Sequence, residues 1–414
     1  MSPTPEPEPL VLKFGGASFA SPGAHRAIAR HVAGRLAGRV PEQVSDRAAD
    51  RVSARDSSRR GGRRGGLPPA RVVVVVSAVA GETDRLSAQM RAVSPDPDRE
   101  LLAAALMTGE TVNVALMTAA LRDAGLPAHA LTALDTGFVG TGEPHHADLV
   151  EIDTAALEKA AEPGRVLVVP GGQAVGPHGR PVMLGRNSSD LSAIAAAAAL
   201  GAPGCEIFSD SPGICTADPQ LIPDARTLPR IDYATMMAMS RHGAKVLHHS
   251  AVAWAARHGV EIRCRSLLPD GRLHSVVGAA VGSVVGAADG ALSSGRNGAV
   301  VVHRTGAVWA GEAGRVRALR ADPARLGPDV VVVDEVAPEG TAGATVVKGP
   351  GSDPGVTHLV LADALRDLAS DGLRRTDLRL VTTMFPDGRL DLRLVPPSEV
   401  TAVARAQHRL VTGD

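Results

Sequence analysis

Five consecutive valines, Val72–Val76, constrain this chain more than any other feature. β-Branched side chains are stiff at χ1 and favour an extended backbone. No polar residue alternates among them, so both faces of the strand must be covered, as in the centre of a parallel sheet. The run ends in Ser77–Ala78 and a glycine-containing turn, Gly81–Glu82–Thr83. Other segments repeat the pattern: Val11–Phe14 runs into Gly15–Gly16, Val166–Val169 into Pro170–Gly171–Gly172, and Cys205–Phe208 into Ser209–Asp210. Between them lie helical stretches at Pro22–Leu36, at Arg99–Ala124 before Gly125, and at the Ala-rich Ser188–Leu200 before Gly201. Two more are expected around Tyr233–Met239 and Ala251–His258. Strands alternating with helices make βαβ units, so the fold class is α/β, an open parallel-type sheet sandwiched by helices.

The chain has 414 residues, enough for two or three domains. Pro41–Ala70 is rich in Arg, Ser, Asp and Gly and reads as a solvated, disordered insertion. It is either an anion-binding loop or a tolerated surface loop, and the second is the simpler reading because long insertions cost little closure entropy. An Ala/Gly/Val-rich stretch at Val276–Leu292 reads as a boundary. Beyond it, strands are expected at Val330–Val333 and Thr345–Val347, Asp353–Pro354–Gly355–Val356 preceding a helix to about Leu373, a hairpin of Leu378–Thr382 with Leu390–Leu394, and a closing helix from Ser398. That order suggests one small α+β module of ferredoxin-like type. The expected division is a tail at 1–10, a catalytic domain at 11–285 with the insertion at 41–70, and a C-terminal region at 286–414.

Composition excludes several classes. Lys+Arg and Asp+Glu both number 44, and aromatic residues are only 2% of the chain. A neutral chain with few stacking rings is a poor nucleic-acid binder. The three cysteines form no CxxC pair, so neither a disulfide scaffold nor a zinc site is indicated, and a cytoplasmic location is the simplest. The acidic, Pro-rich tail lacks a secretory signal's basic and apolar regions, and no membrane partner is expected. Only four residues are lysine: Lys13, Lys159, Lys245 and Lys348. Lysine is a compact point charge where arginine is a wide planar fork, so a lysine kept in an arginine-rich chain either marks a place where the fork would not fit or is left there by composition alone.

In open α/β sheets, ligands bind beyond the carboxyl ends of the strands. Lys13–Ser18, Ser77–Thr83, Gly171–Gln173 and Ser209–Pro219 all end strands. Gly15–Gly16, with Lys13 before and Ser18 after, reads as a phosphate cradle or as a plain tight turn. Arg186–Asp190 enters the Ala-rich helix; Arg186 is suited to grip a carboxylate, or is a surface arginine beside a capped helix. Glu110 shares a helical face with Leu106, Val114 and Met117. A carboxylate on an apolar stripe needs a partner such as a substrate ammonium, unless it sits at the stripe's edge. Asp210 and Asp218 flank Ser211–Pro212–Gly213 and suit Mg²⁺ or ribose hydroxyls, or simple turn chemistry. Lys245 follows Gly243–Ala244 and either reaches the same crevice or is an exposed lysine. No nucleophile triad is evident, and the pairs His145–His146 and His248–His249 lack a third ligand at useful spacing, so no metal-binding residues are assigned.

These motifs together resemble the aspartokinases of the amino acid kinase superfamily. Lys13–Ser18 is similar to the opening KFGG[TS]S, Ser77–Ala78 with Thr83 to the second substrate loop, and Gly109–Glu110 to the helix glutamate. Leu184–Asp190 resembles LGRGGSD, Ser209–Pro219 resembles TDVDGVYTADP, and Gly243–His248 resembles GAKVLHP up to its last residue. Six motifs occur in order between Val11 and about Ser266.

The resemblance implies the amino acid kinase fold with a C-terminal ACT-like region. It implies ATP- and Mg²⁺-dependent phosphorylation of the aspartate side-chain carboxylate, the first step of aspartate-family amino acid biosynthesis. Lys13, Asp190 and Lys245 are then catalytic, the two lysines stabilising the transferring phosphoryl group. Glu110 would hold the substrate ammonium and Arg186 its α-carboxylate, with Ser77 and Thr83 lining the pocket. Gly15, Gly16, Ser18, Ser209, Asp210, Gly213, Asp218 and Lys245 would bind nucleotide. A homodimer or higher oligomer through the C-terminal region is implied, with lysine or threonine as candidate effectors. The chain departs from the family at Ala17, Asn187–Ser188, Pro212, Cys215, Gln220 and His249. Loss of a glycine pair, a tyrosine ring and an arginine is expected to alter nucleotide or substrate binding. An aspartokinase-like kinase acting on another amino or carboxylic acid, or an impaired regulatory subunit, are the alternatives.

Overall fold

A computed structural model describes residues 8–37, 71–162, 164–185, 188–210, 213–266, 275–279, 298–304, 306–321, 330–333, 344–347, 356–361 and 368–413. The insertion at 41–70, Arg186, the stretch 280–297 and residues 353–355 and 362–367 lie outside the described residues. The chain divides into two compact units, 1–212 with 254–274, and 213–253 with 275–414.

The first unit begins with β1 (Leu10–Phe14), α1 (Ala24–Leu36), β2 (Val72–Val76), α2 (Glu82–Val93) and α3 (Arg99–Asp123). It continues through β3 (Ala128–Ala130), β4 (Phe138–Glu143), β5 (His146–Ile152), α4 (Thr154–Ala160), β6 (Val166–Pro170), β7 (Gln173–Val175), β8 (Pro181–Met183), α5 (Ser189–Ala199) and β9 (Gly204–Ser209). β10 (Arg230–Asp232) and α6 (Tyr233–Arg241) belong to the second unit. After α7 (His249–His258), β11 (Glu261–Ser266) returns to the first.

The five valines form β2, and each is at most 1% exposed. β2 lies between β1 and β6 in a wholly parallel run ordered β11-β9-β1-β2-β6-β3. α3 covers one face and α5 the other. Phe14 and Phe208, on neighbouring strands, stack with ring centroids 4.7 Å apart, and Val114, Met117 and Leu121 of α3 join their cluster. Alanine explains α5: all but Ala198 of its residues are buried, and methyl side chains let the helix axis approach the strands closely. A smaller sheet, β5-β4-β7-β8, flanks this core.

α3 is long and apolar enough to cross a membrane by length and composition alone. Half of its apolar window is buried against α1, α2 and the sheet, which makes it a core helix of this unit.

The second unit pairs β10 with β12 (Ser275–Gly278) in parallel. It then builds β13 (Ala299–Val302), β14 (Ala307–Glu312), α8 (Ala313–Arg320), β15 (Val330–Val333), β16 (Ala344–Val347), β17 (Val356–Leu361), β18 (Arg374–Thr376), β19 (Arg379–Met384), β20 (Leu390–Val395) and α9 (Val400–Thr412). These strands make two four-stranded sheets, β13-β19-β20-β16 and β15-β17-β14-β18, where one ferredoxin-like module is expected from the sequence. The helix expected after Val356 is corrected over its first part, while residues 362–367 lie outside the described residues. Val356–Leu361 is a strand, antiparallel to both β14 and β15, because VTHLVL alternates burial with period two at its start and ends fully buried between two neighbours. The hairpin holds: β19 and β20 pair antiparallel around Asp387–Gly388. The region is α+β and ACT-like in its sheet-and-helix make-up.

Candidate active site

In the first unit, the carboxyl ends of four parallel strands carry the expected polar groups. Lys13 is the penultimate residue of β1, registered with Val75 of β2 and Ile207 of β9. Its Nζ lies 2.7 Å from Asp190 Oδ1, in the first turn of α5, and both side chains are buried. The acid gains from the free N–H groups at the helix start. A buried pair of this kind holds its ends together strongly, because either charge alone would be left desolvated.

The glycines around this pair follow from close approach. A Cβ on Gly16 would lie 2.6 Å from the Ala78 carbonyl oxygen, so only glycine lets the β1 turn meet the β2 turn. The contact is fixed by Ala80 N–H donating to the Gly16 carbonyl at 3.3 Å. A Cβ on Gly171 would lie 2.5 Å from Ser189, and Gly172 N–H donates to Ser192 Oγ at 2.9 Å. The turn after β6 is thereby locked to the start of α5. Ser188 Oγ donates to the Gly185 carbonyl at 2.7 Å. Ser18 Oγ is buried with no hydrogen-bond partner.

Glu110 is buried on the inner face of α3. Its Oε1 accepts from Ala78 N–H at 3.2 Å, while Oε2 is buried without a partner. Burial pushes the carboxyl up to about 7, against the opposing pull of the Ala78 and Glu110 backbone N–H groups and the Gln173 side chain. An acid in this state ionises readily when a cation arrives.

Ser77 is half-buried after β2, and Thr83 is half-buried in the first turn of α2. Ser209 is half-buried and Asp210 exposed at the end of β9. Lys13, Gly15, Gly16, Ser18, Ser77, Glu110, Asp190 and Ser209 thus belong to one set of strand ends and the two helices behind them. Arg186 lies outside the described residues.

Gly213, Asp218 and Lys245 belong to the second unit. Gly213 is buried, and Lys245 is exposed in the turn after α6. Asp218 is engaged locally: Oδ1 accepts from Gln220 N–H at 2.9 Å and Oδ2 pairs with Arg304 at 2.9 Å. Thr216 Oγ1 meets His408 Nε2 of α9 at 2.8 Å, and Val300 N–H of β13 donates to the Thr216 carbonyl at 2.8 Å. Before the Lys245 turn, His242 Nδ1 meets Thr382 Oγ1 of β19 at 2.9 Å. Burial first, then His303 and Arg241, depress the His242 imidazole to about 4, so it is neutral at physiological pH.

Sequence reasoning passes over Asn113, His25 and Arg304. Asn113 had a readable signal, since it stands three residues beyond Glu110 on the same face of one helix. Among the described residues, no group of three His, Cys, Asp or Glu side chains could hold a metal ion.

A parallel α/β sheet with a lysine, glycine turns and a helix start at its strand ends is an architecture for handling anionic groups. The chain belongs to the amino acid kinase family, which it matches over residues 8–266. Within that family it is similar to aspartokinases. It is 42% identical over 196 residues to the aspartokinase of Thermus thermophilus, covering 47% of this chain and 48% of that one. It is 38% identical over 209 residues to that of Mycobacterium bovis, covering 50% of each. The matching stretch thus spans about half the length of these relatives. The crystal structure of Escherichia coli aspartokinase III in complex with aspartate and ADP superposes with a TM-score of 0.68 at 18% identity, covering 98% of this chain and 100% of that one, and so shares the fold.

Proposed function

We propose that this protein transfers the γ-phosphoryl group of ATP to the side-chain carboxylate of L-aspartate, giving 4-phospho-L-aspartate. The observation that carries the reading is the buried Lys13–Asp190 pair at the head of the central strands, in a chain whose sequence relatives are aspartokinases. A carboxylate is already a nucleophile, so the reaction needs alignment and positive charge rather than a general base. Lys13 and Lys245 supply that charge, and Asp190 holds Lys13 in place. The turn of Gly15, Gly16 and Ser18 would cradle the phosphates; Gly15 N–H already donates to the Phe208 carbonyl and Ser18 N–H to the Gly15 carbonyl, which leaves Ser18 Oγ, buried with no partner, as a polar group of this turn for a phosphate to engage. Glu110, with Oε2 unpaired, receives the substrate ammonium, and Arg186 its α-carboxylate; Ser77 and Thr83 complete the pocket.

ATP is assigned from the family, with Ser209, Asp210, Gly213 and Asp218 as nucleotide-contacting residues. Mg²⁺ would accompany ATP and would supply neutralisation of the phosphate charge. The exposed Asp210 carboxylate fits such an ion, which binds through one or two carboxylates and keeps much of its water.

A second reading, another amino or carboxylic acid as acceptor, has support from Ser188. Its Oγ stands only 2.6 Å from where a Cβ on Gly172 would be, so a hydroxymethyl group occupies space that the resemblance leaves to glycine.

The test is direct. Mg·ATP, L-aspartate and hydroxylamine are incubated with the protein, and aspartyl hydroxamate is measured. Hydroxamate that depends on aspartate and is lost in Lys13→Ala supports the reading. ATP turnover with a different acid and none with aspartate replaces it by the second reading; no turnover with any acid overturns both.

A further inference from the structure

α6 ends at Arg241 and is followed by His242–Gly243–Ala244–Lys245. Gly243 N–H donates to the Ser240 carbonyl at 3.1 Å, and Ala244 N–H to the Met239 carbonyl at 2.9 Å. That pair of bonds is a Schellman motif, which needs a left-handed residue just past the cap. Gly243 supplies it, with φ +108°. The chain therefore leaves α6 in a fixed direction, and Lys245 follows two residues later, exposed.

Two contacts fasten this helix end to distant strands. His242 Nδ1 meets Thr382 Oγ1 at 2.9 Å across 140 positions, and Thr382 is wholly buried in β19. A Cβ on Gly243 would lie 2.8 Å from His303 Cα, so the turn rests on the backbone that follows β13. His303 is held in its turn: its N–H donates to the Leu380 carbonyl of β19 at 2.9 Å, and its Nδ1 accepts from Gly306 N–H at 3.0 Å. A histidine at the C-terminal end of a helix ordinarily acts by charge, as a cation facing the negative end of the dipole. His242 stands there uncharged at physiological pH, because burial, His303 and Arg241 all oppose its protonation. What it contributes is the hydrogen bond to Thr382.

We infer that His242 is a positioning residue for Lys245: its bond to Thr382 fixes, on the paired strands β13 and β19, the turn from which Lys245 reaches the transferring phosphoryl group. The inference rests on the role proposed above for Lys245. An exposed lysine has a long flexible stem, so the protein places its charge by placing its backbone. Phosphoryl transfer depends on such alignment, and an error of about 1 Å at a reacting centre can cost on the order of a hundredfold in rate. Ser77, Thr83 and Glu110, assigned to the acceptor acid, belong to the other unit, so loss of the bond should spare acceptor binding.

Steady-state kinetics with Mg·ATP and the acceptor acid, beside thermal unfolding, tests the inference. His242→Ala should lower kcat by about tenfold or more and leave the KM for the acceptor acid within about twofold of the parent. His242→Asn sets an amide atom where Nδ1 stands and should restore most of kcat, whereas His242→Gln, reaching one bond further, should not. Thr382→Val keeps the shape of the buried side chain without its hydroxyl. It should reproduce the fall in kcat, and combining it with His242→Ala should lower kcat no further. Unchanged kcat in His242→Ala, whatever its Tm, overturns the inference. So does parental kcat in Thr382→Val, which also decides the matter if His242→Ala does not fold, and so does parental kcat in Lys245→Ala. A parent that turns over no acid removes the proposed function and this inference with it; an active parent with unaltered variants removes this inference alone.

Discussion

The side-chain amide of Asn113 donates to the carbonyl oxygen of Ser77 across 2.7 Å, and its Oδ1 accepts from His25 Nε2 at 2.6 Å. The donation to Ser77 fixes the amide orientation, which in turn makes His25 the Nε2–H tautomer. Asn113 is wholly buried, one helical turn beyond Glu110. One helix therefore grips the Ser77–Ala78 loop twice: Asn113 holds the Ser77 carbonyl and Glu110 takes the Ala78 N–H. Asn113→Ala removes two hydrogen bonds to half-buried partners, at a cost of about 0.5–1.5 kcal/mol each. We expect the variant to fold with a lowered Tm, and to show a KM for the acceptor acid that rises several-fold more than kcat falls. Steady-state kinetics beside thermal unfolding checks this; a lowered Tm with an unchanged KM would confine Asn113 to stability.

Glu110 sets function against stability. Its carboxyl sits at about 7 in the folded chain against 4.5 in the unfolded one. Between those pH values the folded state holds the proton that the unfolded state has released, so stability falls as pH rises through the window. At pH 8 the penalty is of the order of 3 kcal/mol, at about 1.4 kcal/mol per pK unit. Glu110→Gln removes the charge and keeps the shape, so the unliganded variant should unfold at a higher temperature than the parent at pH 8. The two should converge near pH 4. The same substitution should abolish acceptor binding, and the parent's KM for the acceptor acid should climb as pH falls below about 7, where Glu110 loses its charge. Melting curves across pH for both proteins decide the point; identical curves at pH 8 would show that the carboxyl is not strained.

The sheet was legible because burial on both faces leaves a plain record: Val72–Val76 could hardly be anything but a central strand. The Lys13, Glu110 and Asp190 positions were legible from motif order, and spacing placed Glu110 on the inner face of α3. What sequence order could not convey were pairings between distant elements. Asn113 meets His25 across 88 positions, and Thr216 meets His408 across 192. No local pattern encodes such contacts. The misread helix at Val356 has a local cause. A strand of six residues that is only partly alternating carries little periodic signal, and the residue types Asp-Pro-Gly before it suit a helix start as well as a strand.

Arg304 bears on the departure at Gln220. The resemblance places an arginine at that position; here Arg304 Nη1 donates to Gln220 Oε1 at 3.2 Å and to Asp218 Oδ2 at 2.9 Å. A guanidinium therefore stands beside the residue whose charge is missing, supplied from 84 positions further along the chain. If the segment at 213–220 binds nucleotide, Arg304→Ala should raise the KM for ATP several-fold and leave the KM for the acceptor acid unchanged. The pair is partly exposed, so little loss of Tm is expected. The double variant Arg304→Ala with Gln220→Arg should recover ATP affinity. An unaltered KM for ATP in the single variant would make the Arg304–Asp218 pair purely structural.

The Lys13–Asp190 pair allows charge and chemistry to be separated. Both side chains are buried, so Lys13→Met leaves an unpaired carboxylate and Asp190→Leu an unpaired ammonium, each destabilising by about 3–5 kcal/mol. The double variant buries no charge, and replacing such a pair by apolar side chains of similar size is often neutral or better. Its stability should therefore return toward that of the parent, giving a coupling energy of a few kcal/mol in the cycle. Turnover should not return, because the phosphoryl group would then lack its cation at the head of β1. Denaturant unfolding of the four proteins, with hydroxamate formation measured on the same samples, reads both quantities. A double variant that is restored in stability and also in turnover would remove Lys13 from the chemistry. One restored in neither would mean that the apolar pair cannot pack there, and Lys13→Arg, which keeps the charge on a wider head, would then carry the comparison: retained stability with lost turnover is the outcome the proposed role requires.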